Sequence, residues 1–305
     1  MSEQKYYGRV LGCNGGLYSV DCSGTVYECF AKGTFRYEKL TPLAGDRAEF
    51  VLEGETGYIT DILPRKNELI RPPMANLDKL FVICAVKNPM PSYINIDKLC
   101  AIAHNRDIEI EIVINKCELD PDKAAELESV YSSCGYKTVM LYDSPSNPDT
   151  VAEKLKADTV GGVVAFVGAS GVGKTTVINA LYPEFILHTG AISAKTGRGK
   201  HTTRQTRLYK IEGAEDAYIA DTPGFSLLDF EKFFFFRKDE LPYSFMEFEQ
   251  YIGKCKYVKC THTKEEGCAI LEAVKDGKIP SSRHESYLAL FENLKKQKEW
   301  ELKKQ

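Results

Sequence analysis

The sequence has no long hydrophobic run and no excess of positive charge. Its 305 residues contain 40 Lys and Arg against 43 Asp and Glu, a formal net charge of −3. No stretch approaches the roughly 18 consecutive apolar residues that a membrane-spanning helix requires. The first residues, MSEQKYYGRV, contain no apolar core of a secretory signal. These absences exclude a membrane-spanning protein and a globally basic nucleic-acid binder, and they predict a cytoplasmic location.

A cysteine framework of the secreted type is also absent. Most of the ten cysteines are scattered along the chain, which together with the missing signal favours reduced thiols over disulfides. Three of them stand close to a histidine within fourteen residues, namely Cys255, Cys260, His262 and Cys268. This spacing is typical of a closed Cys₃His site. It predicts one structural Zn²⁺ per chain, in a region with little core of its own.

Three patterns of composition predict three domains. Residues 1–68 contain five short strands rich in Val, Tyr and Phe between glycine turns, which predicts a closed β-barrel, with an OB-fold favoured over another small barrel. In residues 69–230 apolar strands alternate with helices, as in an α/β fold with a mostly parallel sheet. Residues 231–305 are predicted to be a mostly helical zinc-binding domain, with one helix at 245–254. The proline-containing segment 64–78 is predicted to be a linker.

The stretch GASGVGKTT, residues 168–176, follows an apolar strand and opens a helix, as a phosphate loop of the type G-x-x-x-x-G-K-[ST] does. Its glycines allow backbone N–H groups to surround phosphates at the positive end of the helix dipole. Lys174 is predicted to reach the β- and γ-phosphates, and the Thr175 hydroxyl to bind Mg²⁺. The predicted phosphate-binding residues are Gly168, Ala169, Ser170, Gly171, Val172, Gly173, Lys174, Thr175 and Thr176.

A second motif, DTPG at 221–224, ends another apolar strand. Asp221 is predicted to hold Mg²⁺, and Gly224 to present its N–H to the γ-phosphate, as in the switch of a GTPase. Between this motif and the phosphate loop lies GRGKHTTR. A threonine in this interval usually closes over the γ-phosphate. Thr202 and Thr203 are both candidates, and Thr203 is favoured.

The stretch NKCE, residues 115–118, resembles the N-K-x-D signature with which GTPases recognise guanine. Asn115 is predicted to brace the base-binding loops, and Lys116 to lie along the base, with Cys117 in the same loop. Glu118 is predicted to accept two hydrogen bonds from guanine, with one methylene more than the usual aspartate. The preceding strand places Asn115 at a strand C-terminus, where ligands bind in such sheets.

The order of these motifs is unusual, because NKCE precedes the phosphate loop instead of following it. The order of base-reading motif, phosphate loop, switch threonines and D-x-x-G predicts a circularly permuted GTPase domain. Such a cut is tolerated because chain termini usually lie at the surface and close together. The joint presence of NKCE and DTPG disfavours a P-loop ATPase or kinase.

Several stretches together resemble one family, the bacterial ribosome small-subunit-dependent GTPases of the RsgA (YjeQ) type. They are PRKNELIRP, ANLDKL, NKCEL, GASGVGKTT, GRGKHTTR, DTPGF and CKYVKCTHTKEEGCAI. The resemblance covers nearly the whole chain and implies an N-terminal OB-fold, a permuted GTPase domain and a C-terminal zinc domain. It also implies GTP hydrolysis that is stimulated by the small (30S) ribosomal subunit during its late maturation. Glu118 and the phenylalanine run at 233–236 depart from the family pattern.

The water-activating residue cannot occupy its usual place. After D-x-x-G the chain has Phe225, which cannot orient the attacking water as the usual glutamine does. His201, beside the switch threonines, is the nearest polar candidate, and the resemblance points to it too. The predicted catalytic residues are therefore His201, Lys174 and Thr203. A slow basal turnover is expected, which rises when a partner orders the loop.

The charge distribution favours an rRNA partner that contacts separate basic patches of the protein. Residues 185–211 contain six basic residues and no acidic one, and residues 251–305 have a net charge of +4. Both patches suit a phosphate-rich surface, and the barrel adds a surface on which RNA bases can stack. The alternative function is a nucleotide-gated rRNA-binding scaffold whose hydrolysis is incidental. The protein is expected to be a monomer.

Overall fold

The computed structural model describes residues 4–33, 35, 40–70, 72–142, 154–183, 206–221 and 237–295. The chain divides into two compact units. The first combines Met1–Lys79, Asp158–Phe166 and Ala191–Phe225, and the second combines Leu80–Ala157, Val167–Gly190 and Ser226–Gln305. Within the described ranges, no helix has both the length and the apolar composition that crossing a bilayer requires.

The N-terminal strands form a closed barrel with the order β1-β2-β3-β5-β4. They are β1 (Lys5–Asn14), β2 (Leu17–Cys22), β3 (Thr25–Ala31), β4 (Arg47–Glu53) and β5 (Thr56–Ile62). Neighbouring strands are antiparallel except β3 and β5, which are parallel. Residues two apart in a strand share a face, and Val10, Val20, Phe50 and Ile59 fill the barrel interior with no exposed surface. The predicted five-stranded barrel is confirmed.

The segment 64–78 has a structure of its own, so the prediction of a linker is wrong. Here β6 (Glu68–Ile70) pairs in antiparallel fashion with β7 (Pro73–Ala75). Leu69 and Met74 are directly paired and both are buried, so they form one buried face of this hairpin. The prolines indicate a break in regular structure, but they do not reveal this buried face.

A six-stranded sheet has the strand order β10-β9-β8-β11-β13-β12. Its strands are β8 (Leu77–Ala85), β9 (Glu109–Asn115), β10 (Lys137–Met140), β11 (Val163–Val167), β12 (Arg207–Lys210) and β13 (Tyr218–Asp221). β9 pairs with β10 and β11 with β13 in parallel, whereas β12 and β13 are antiparallel. Every residue of β11 is buried, as expected for a strand covered on both faces. The predicted α/β sheet is therefore confirmed.

Local signals explain where the helices begin and end. The main helices of the described residues are α1 (Tyr93–Asn105), α2 (Pro121–Ser133), α3 (Lys174–Leu181), α4 (Ala269–Lys275) and α5 (Ser281–Lys295). The Asp120 side chain caps α2 by accepting a hydrogen bond from the backbone N–H of Lys123 at 3.1 Å, and Pro121 occupies the first helical position. Gly135, with φ of +90°, follows the end of α2 in the left-handed conformation that glycine favours.

The helix predicted at 245–254 is wrong. The structure has only a short 3₁₀ turn, Met246–Phe248, and further turns. Phe245 is extended, and its ring stacks on Phe248 with centroids 5.1 Å apart and meets Tyr287 edge-on at 5.5 Å. Burial of these aromatic rings against α5 overrides the local helical preference.

Candidate functional site

Residues 168–173 form a tight loop between β11 and α3. Gly168 has φ of +149°, and a Cβ there would lie 2.1 Å from the carbonyl oxygen of Ile83. Gly173 has φ of +98°, and its Cβ would lie 2.3 Å from Asn115 Nδ2. Only glycine fits at both positions, for reasons of backbone conformation and of space. The loop therefore places backbone N–H groups at the N-terminus of α3, as an anion site requires.

Lys174, the first residue of α3, turns back onto the loop. Its Nζ donates hydrogen bonds to the carbonyl oxygens of Gly168 and Ala169, both at 2.8 Å. The side chain is half-buried, and this desolvation lowers the pKa of Lys174. Thr175 and Thr176 are exposed in the first turn of the helix. The loop thus combines a desolvated ammonium with accessible hydroxyl groups.

The NKCE stretch lies against this loop. β9 ends at the buried Asn115, whose Nδ2 donates to the carbonyl oxygen of Val172 at 2.9 Å. Lys116 adopts a left-handed conformation with φ of +60°, and its Nζ donates to the carbonyl oxygens of Gly171, at 2.7 Å, and of Asn88. The structure therefore joins two motifs that are separated by more than fifty residues.

Cys117 and Glu118 differ in exposure. Cys117 is fully buried, its backbone N–H donates to Leu141 O at 3.1 Å, and its thiol donates to Ile114 O at 3.2 Å. Burial raises the pKa of Cys117 to about 11, so the thiol stays neutral and anchors the loop. Glu118 is exposed at the start of the short 3₁₀ turn Cys117–Leu119, where its carboxylate is accessible to a ligand.

Several predicted residues lie outside the part of the chain that the structure describes. They are His201, Thr202, Thr203 and Gly224. The backbone of Asp221 ends β13. Asn88, by contrast, was not predicted to be part of the site. It directly precedes Pro89, and an Asn-Pro pair marks a turn after a strand, but this signal does not identify Lys116 as its partner.

The Cys₃His cluster is gathered in space, with one potential ligand atom from each residue and all four atoms within 4.8 Å of one another. Cys255 Sγ lies 3.8 Å from Cys268 Sγ and 3.6 Å from His262 Nδ1, and His262 Nδ1 lies 3.4 Å from Cys268 Sγ. A tetrahedral zinc with bonds of about 2.3 Å to sulfur and about 2.0 Å to nitrogen gives edges of about 3.8 Å and 3.5 Å. The donor set and its dimensions therefore fit zinc.

Three further side chains hold the loop that contains Cys260 and His262. Glu265 accepts backbone hydrogen bonds, His284 Nε2 donates to His262 O at 2.8 Å, and Tyr287 OH donates to Thr261 O at 2.7 Å. His284 is itself buried. Sequence spacing predicts the Cys₃His cluster but not these supports, since two of them come from α5.

Comparison with known proteins finds relatives of one family over nearly the whole chain. The model of the RsgA GTPase family matches residues 62–231, and that of the RsgA N-terminal domain matches residues 7–59. A relative from Ruminiclostridium cellulolyticum, named small ribosomal subunit biogenesis GTPase RsgA, is 37% identical, with 94% of this chain and 93% of the relative covered. One of the same name from Alkaliphilus metalliredigens is 36% identical, with 96% and 99% covered.

Two solved structures resemble this fold. YjeQ from Thermotoga maritima superposes with a TM-score of 0.81 and 31% identity, covering 97% of this chain and all of that one. YloQ, described as a circularly permuted GTPase, superposes with a TM-score of 0.77 and 29% identity, covering 97% and 96%. The predicted permutation and the predicted GTPase class are confirmed. The chain belongs to the RsgA family of circularly permuted, GTP-hydrolysing enzymes.

Proposed function

We propose that the protein binds the small ribosomal subunit, hydrolyses GTP there and assists late maturation of that subunit. The observation that carries the nucleotide part is the contact of NKCE with the phosphate loop, through Asn115 to Val172 and Lys116 to Gly171. This contact brings a guanine-reading motif and a phosphate-binding motif into one site. The choice of the small ribosomal subunit as the partner rests on the names of the relatives.

The nucleotide is held by two sets of residues. Backbone N–H groups of 168–176 surround the phosphates, and Glu118 accepts hydrogen bonds from guanine while Lys116 lies along the base. Lys174 leaves its loop carbonyls for the β- and γ-phosphates, because a desolvated ammonium gains more from phosphate anions than from neutral carbonyls. The proposed nucleotide-binding residues are Asn115, Lys116, Cys117, Glu118, Gly168, Ala169, Ser170, Gly171, Val172, Gly173, Lys174, Thr175, Thr176, Asp221 and Gly224.

Hydrolysis needs groups that face the γ-phosphate. Mg²⁺, when bound, neutralises charge on the phosphates; Thr175, which is exposed beside the loop, and Asp221 would hold it. We assign His201 to orient the attacking water and Thr203 to close over the γ-phosphate. Phe225 leaves the usual glutamine position without a polar group. Basal turnover is therefore slow until a partner orders these residues.

The zinc-binding residues are proposed to be Cys255, Cys260, His262 and Cys268, with one structural Zn²⁺ that adds folding energy to this region. The domain limits are proposed as 1–68 for an RNA-binding barrel, 69–230 for the GTPase and 231–305 for the zinc domain. Such an enzyme works where ribosomes are assembled, so we propose a cytoplasmic location. We also propose that the protein is a monomer and that it binds rRNA.

The test is GTP turnover with and without purified small subunits, for the wild type, His201→Ala and a control, His104→Ala. Subunits should raise wild-type and control turnover, whereas His201→Ala should bind subunits in the presence of a GTP analogue yet lose most of the stimulation. Stimulated turnover of His201→Ala at the wild-type rate would remove the assignment of His201. An unchanged wild-type rate, with nucleotide-dependent subunit binding retained, would favour the rRNA-binding scaffold.

A further inference from the structure

The first barrel strand passes very close to the start of β12. A Cβ at Gly12 would lie 3.2 Å from the carbonyl oxygen of Thr206 and 3.7 Å from the Cα of Arg207. Thr206 is buried. The barrel backbone is thus in contact with the residue that directly precedes β12.

Asp21 of the barrel holds the other end of β12. Its Oδ2 accepts hydrogen bonds from Lys210 Nζ at 2.8 Å and from Tyr218 OH at 2.6 Å, and its Oδ1 accepts one from the backbone of Gly24 at 2.8 Å. Asp21 is buried. Burial by itself raises the pKa of Asp21, but these partners outweigh it and the net shift is downward, so the carboxylate is charged at neutral pH.

Asp216, between β12 and β13, is held by two barrel arginines. Arg9 donates from Nε to Oδ1 at 2.9 Å and from Nη2 to Oδ2 at 2.7 Å, and Arg47 Nη2 donates to Oδ2 at 2.7 Å. Arg9 is itself buried, donates to Gly45 O at 3.2 Å and has its guanidinium 5.4 Å from the centre of the Tyr218 ring. Because Arg9 binds both carboxylate oxygens, the pair fixes the orientation of the Asp216 side chain as well as its distance from Arg9.

The β12–β13 hairpin is therefore attached to the barrel at three points, namely at Thr206, at Lys210 with Tyr218, and at Asp216. In the sequence, GRGKHTTR lies just before β12, and Asp221 is both the last residue of β13 and the first of DTPG. Any shift of the hairpin moves the residues that follow GRGKHTTR and the residue at which DTPG begins. β13 pairs with β11 on its other side, whereas the edge strand β12 and the turn at Asp216 contact the barrel, so the barrel contributes to that position.

We propose that Asp216 is a positioning residue for GTP hydrolysis: by holding the hairpin on Arg9 and Arg47 it transmits the state of the barrel to the switch motifs. This inference rests on the proposed function, because it names the route by which a partner bound to the barrel changes turnover. It assigns Asp216 no contact with nucleotide. Loosening the contact therefore changes kcat and leaves GTP binding intact.

The test compares Asp216→Asn, Arg47→Gln and Asp216→Glu with a control, Glu215→Gln, which alters the exposed acid next to Asp216. Arg9 is left alone because its burial makes a folding defect the expected result of replacing it. Asp216→Asn and Arg47→Gln should each lower subunit-stimulated kcat about tenfold, with KM for GTP and the affinity for a fluorescent GDP analogue unchanged. Asp216→Glu keeps the carboxylate and should recover most of the rate, and Glu215→Gln should match the wild type.

Three results would overturn the proposal. Asp216→Asn could keep the stimulated kcat of the wild type, or it could lose nucleotide affinity together with kcat. The control Glu215→Gln could lose as much stimulated kcat as Asp216→Asn. Basal turnover gives a separate readout. If subunits do not stimulate the wild type, the proposed function fails, but the role of Asp216 is still decided by basal kcat. That rate should fall in Asp216→Asn and stay unchanged in Glu215→Gln.

Discussion

At the scale of single residues, the side chain of Asn115 explains why residue 173 is glycine. The space that a Cβ at Gly173 would occupy is filled by Asn115 Nδ2, and that same amide holds the carbonyl of Val172. The motifs NKCE and GASGVGKTT are therefore coupled sterically as well as by hydrogen bonds. Neither motif alone predicts this coupling.

Gly173→Ala should weaken nucleotide binding strongly. Alanine at φ of +98° is strained by about 1–3 kcal/mol, and displacing the Asn115 amide leaves buried polar groups without partners, at a similar cost. We expect a loss of at least tenfold in the affinity for a fluorescent GDP analogue, measured by titration.

Gly161→Ala is the matched control. Gly161 has φ of +103° and no atom within 4 Å of its Cβ position, so the substitution introduces the strain without the collision and outside the phosphate loop. Its nucleotide affinity should stay within about twofold of the wild type. Equal affinities for the two variants would contradict the steric role of Asn115.

At the scale of elements, the loop from Cys260 to Cys268 contains no helix or strand of its own. The Glu265 carboxylate supports it from within by accepting the backbone N–H groups of Thr261 and Thr263 at 2.9 Å and of Lys264 at 3.0 Å. Burial alone raises the pKa of Glu265, but these bonds and that from the Thr261 hydroxyl outweigh it and lower the pKa to about 2.

Glu265→Gln should weaken zinc retention about 10- to 100-fold, as supporting residues of metal sites typically do, measured by competition with a chelator. Since the folded pKa lies below the ordinary value of 4.5, the carboxylate's contribution is complete above about pH 4.5 and is lost as the pH falls towards 2. The deficit of the variant should therefore be equal at pH 6 and pH 8. Glu266→Gln, at the exposed neighbouring position, should retain zinc like the wild type.

The sequence predicts elements well where one local signal dominates. Short segments rich in Val, Tyr and Phe between glycine turns predict the barrel strands, and the apolar run of β11 followed by glycines predicts the phosphate loop. Prediction from the sequence fails where packing determines the local structure, as in the hairpin within 64–78 and in the aromatic turn around Phe245. The Cys₃His cluster follows from spacing along the chain, whereas Glu265, His284 and Tyr287 act through contacts that only the fold creates.

At the scale of the whole molecule, one buried cluster in the second unit joins distant parts of the chain. Arg283 of α5 has no exposed surface and donates to Asp97 of α1 at 2.5 Å and to Glu247 at 2.7 and 3.1 Å. It also donates to Tyr136 OH at 3.2 Å, and Tyr131 OH donates to Asp97 at 3.0 Å. These contacts attach α5 to α1, and through Asp97 to Tyr131 of α2, across up to 186 positions of sequence.

Arg283→Met should destabilise the protein by about 3–5 kcal/mol, because it leaves two carboxylates buried without their cation. Urea unfolding at neutral pH measures this loss. Arg237→Met is the matched control: Arg237 pairs with Asp239 and Glu240 at the surface, where such pairs contribute at most about 1 kcal/mol. A loss in Arg283→Met no larger than in Arg237→Met would contradict the role of the cluster.

The pH dependence separates lost charge from lost packing in Arg283→Met. Burial already raises the pKa of Asp97 although Arg283 opposes it, and removing the arginine raises it further. A carboxyl whose folded pKa lies above its unfolded value stabilises the fold most at low pH, and it loses that contribution as the pH rises through the folded pKa. The deficit of Arg283→Met relative to the wild type should therefore grow between pH 5 and pH 8. A deficit that is constant over this range would mean that the arginine acts through packing against Phe245, Tyr131 and Tyr136 and not through its charge.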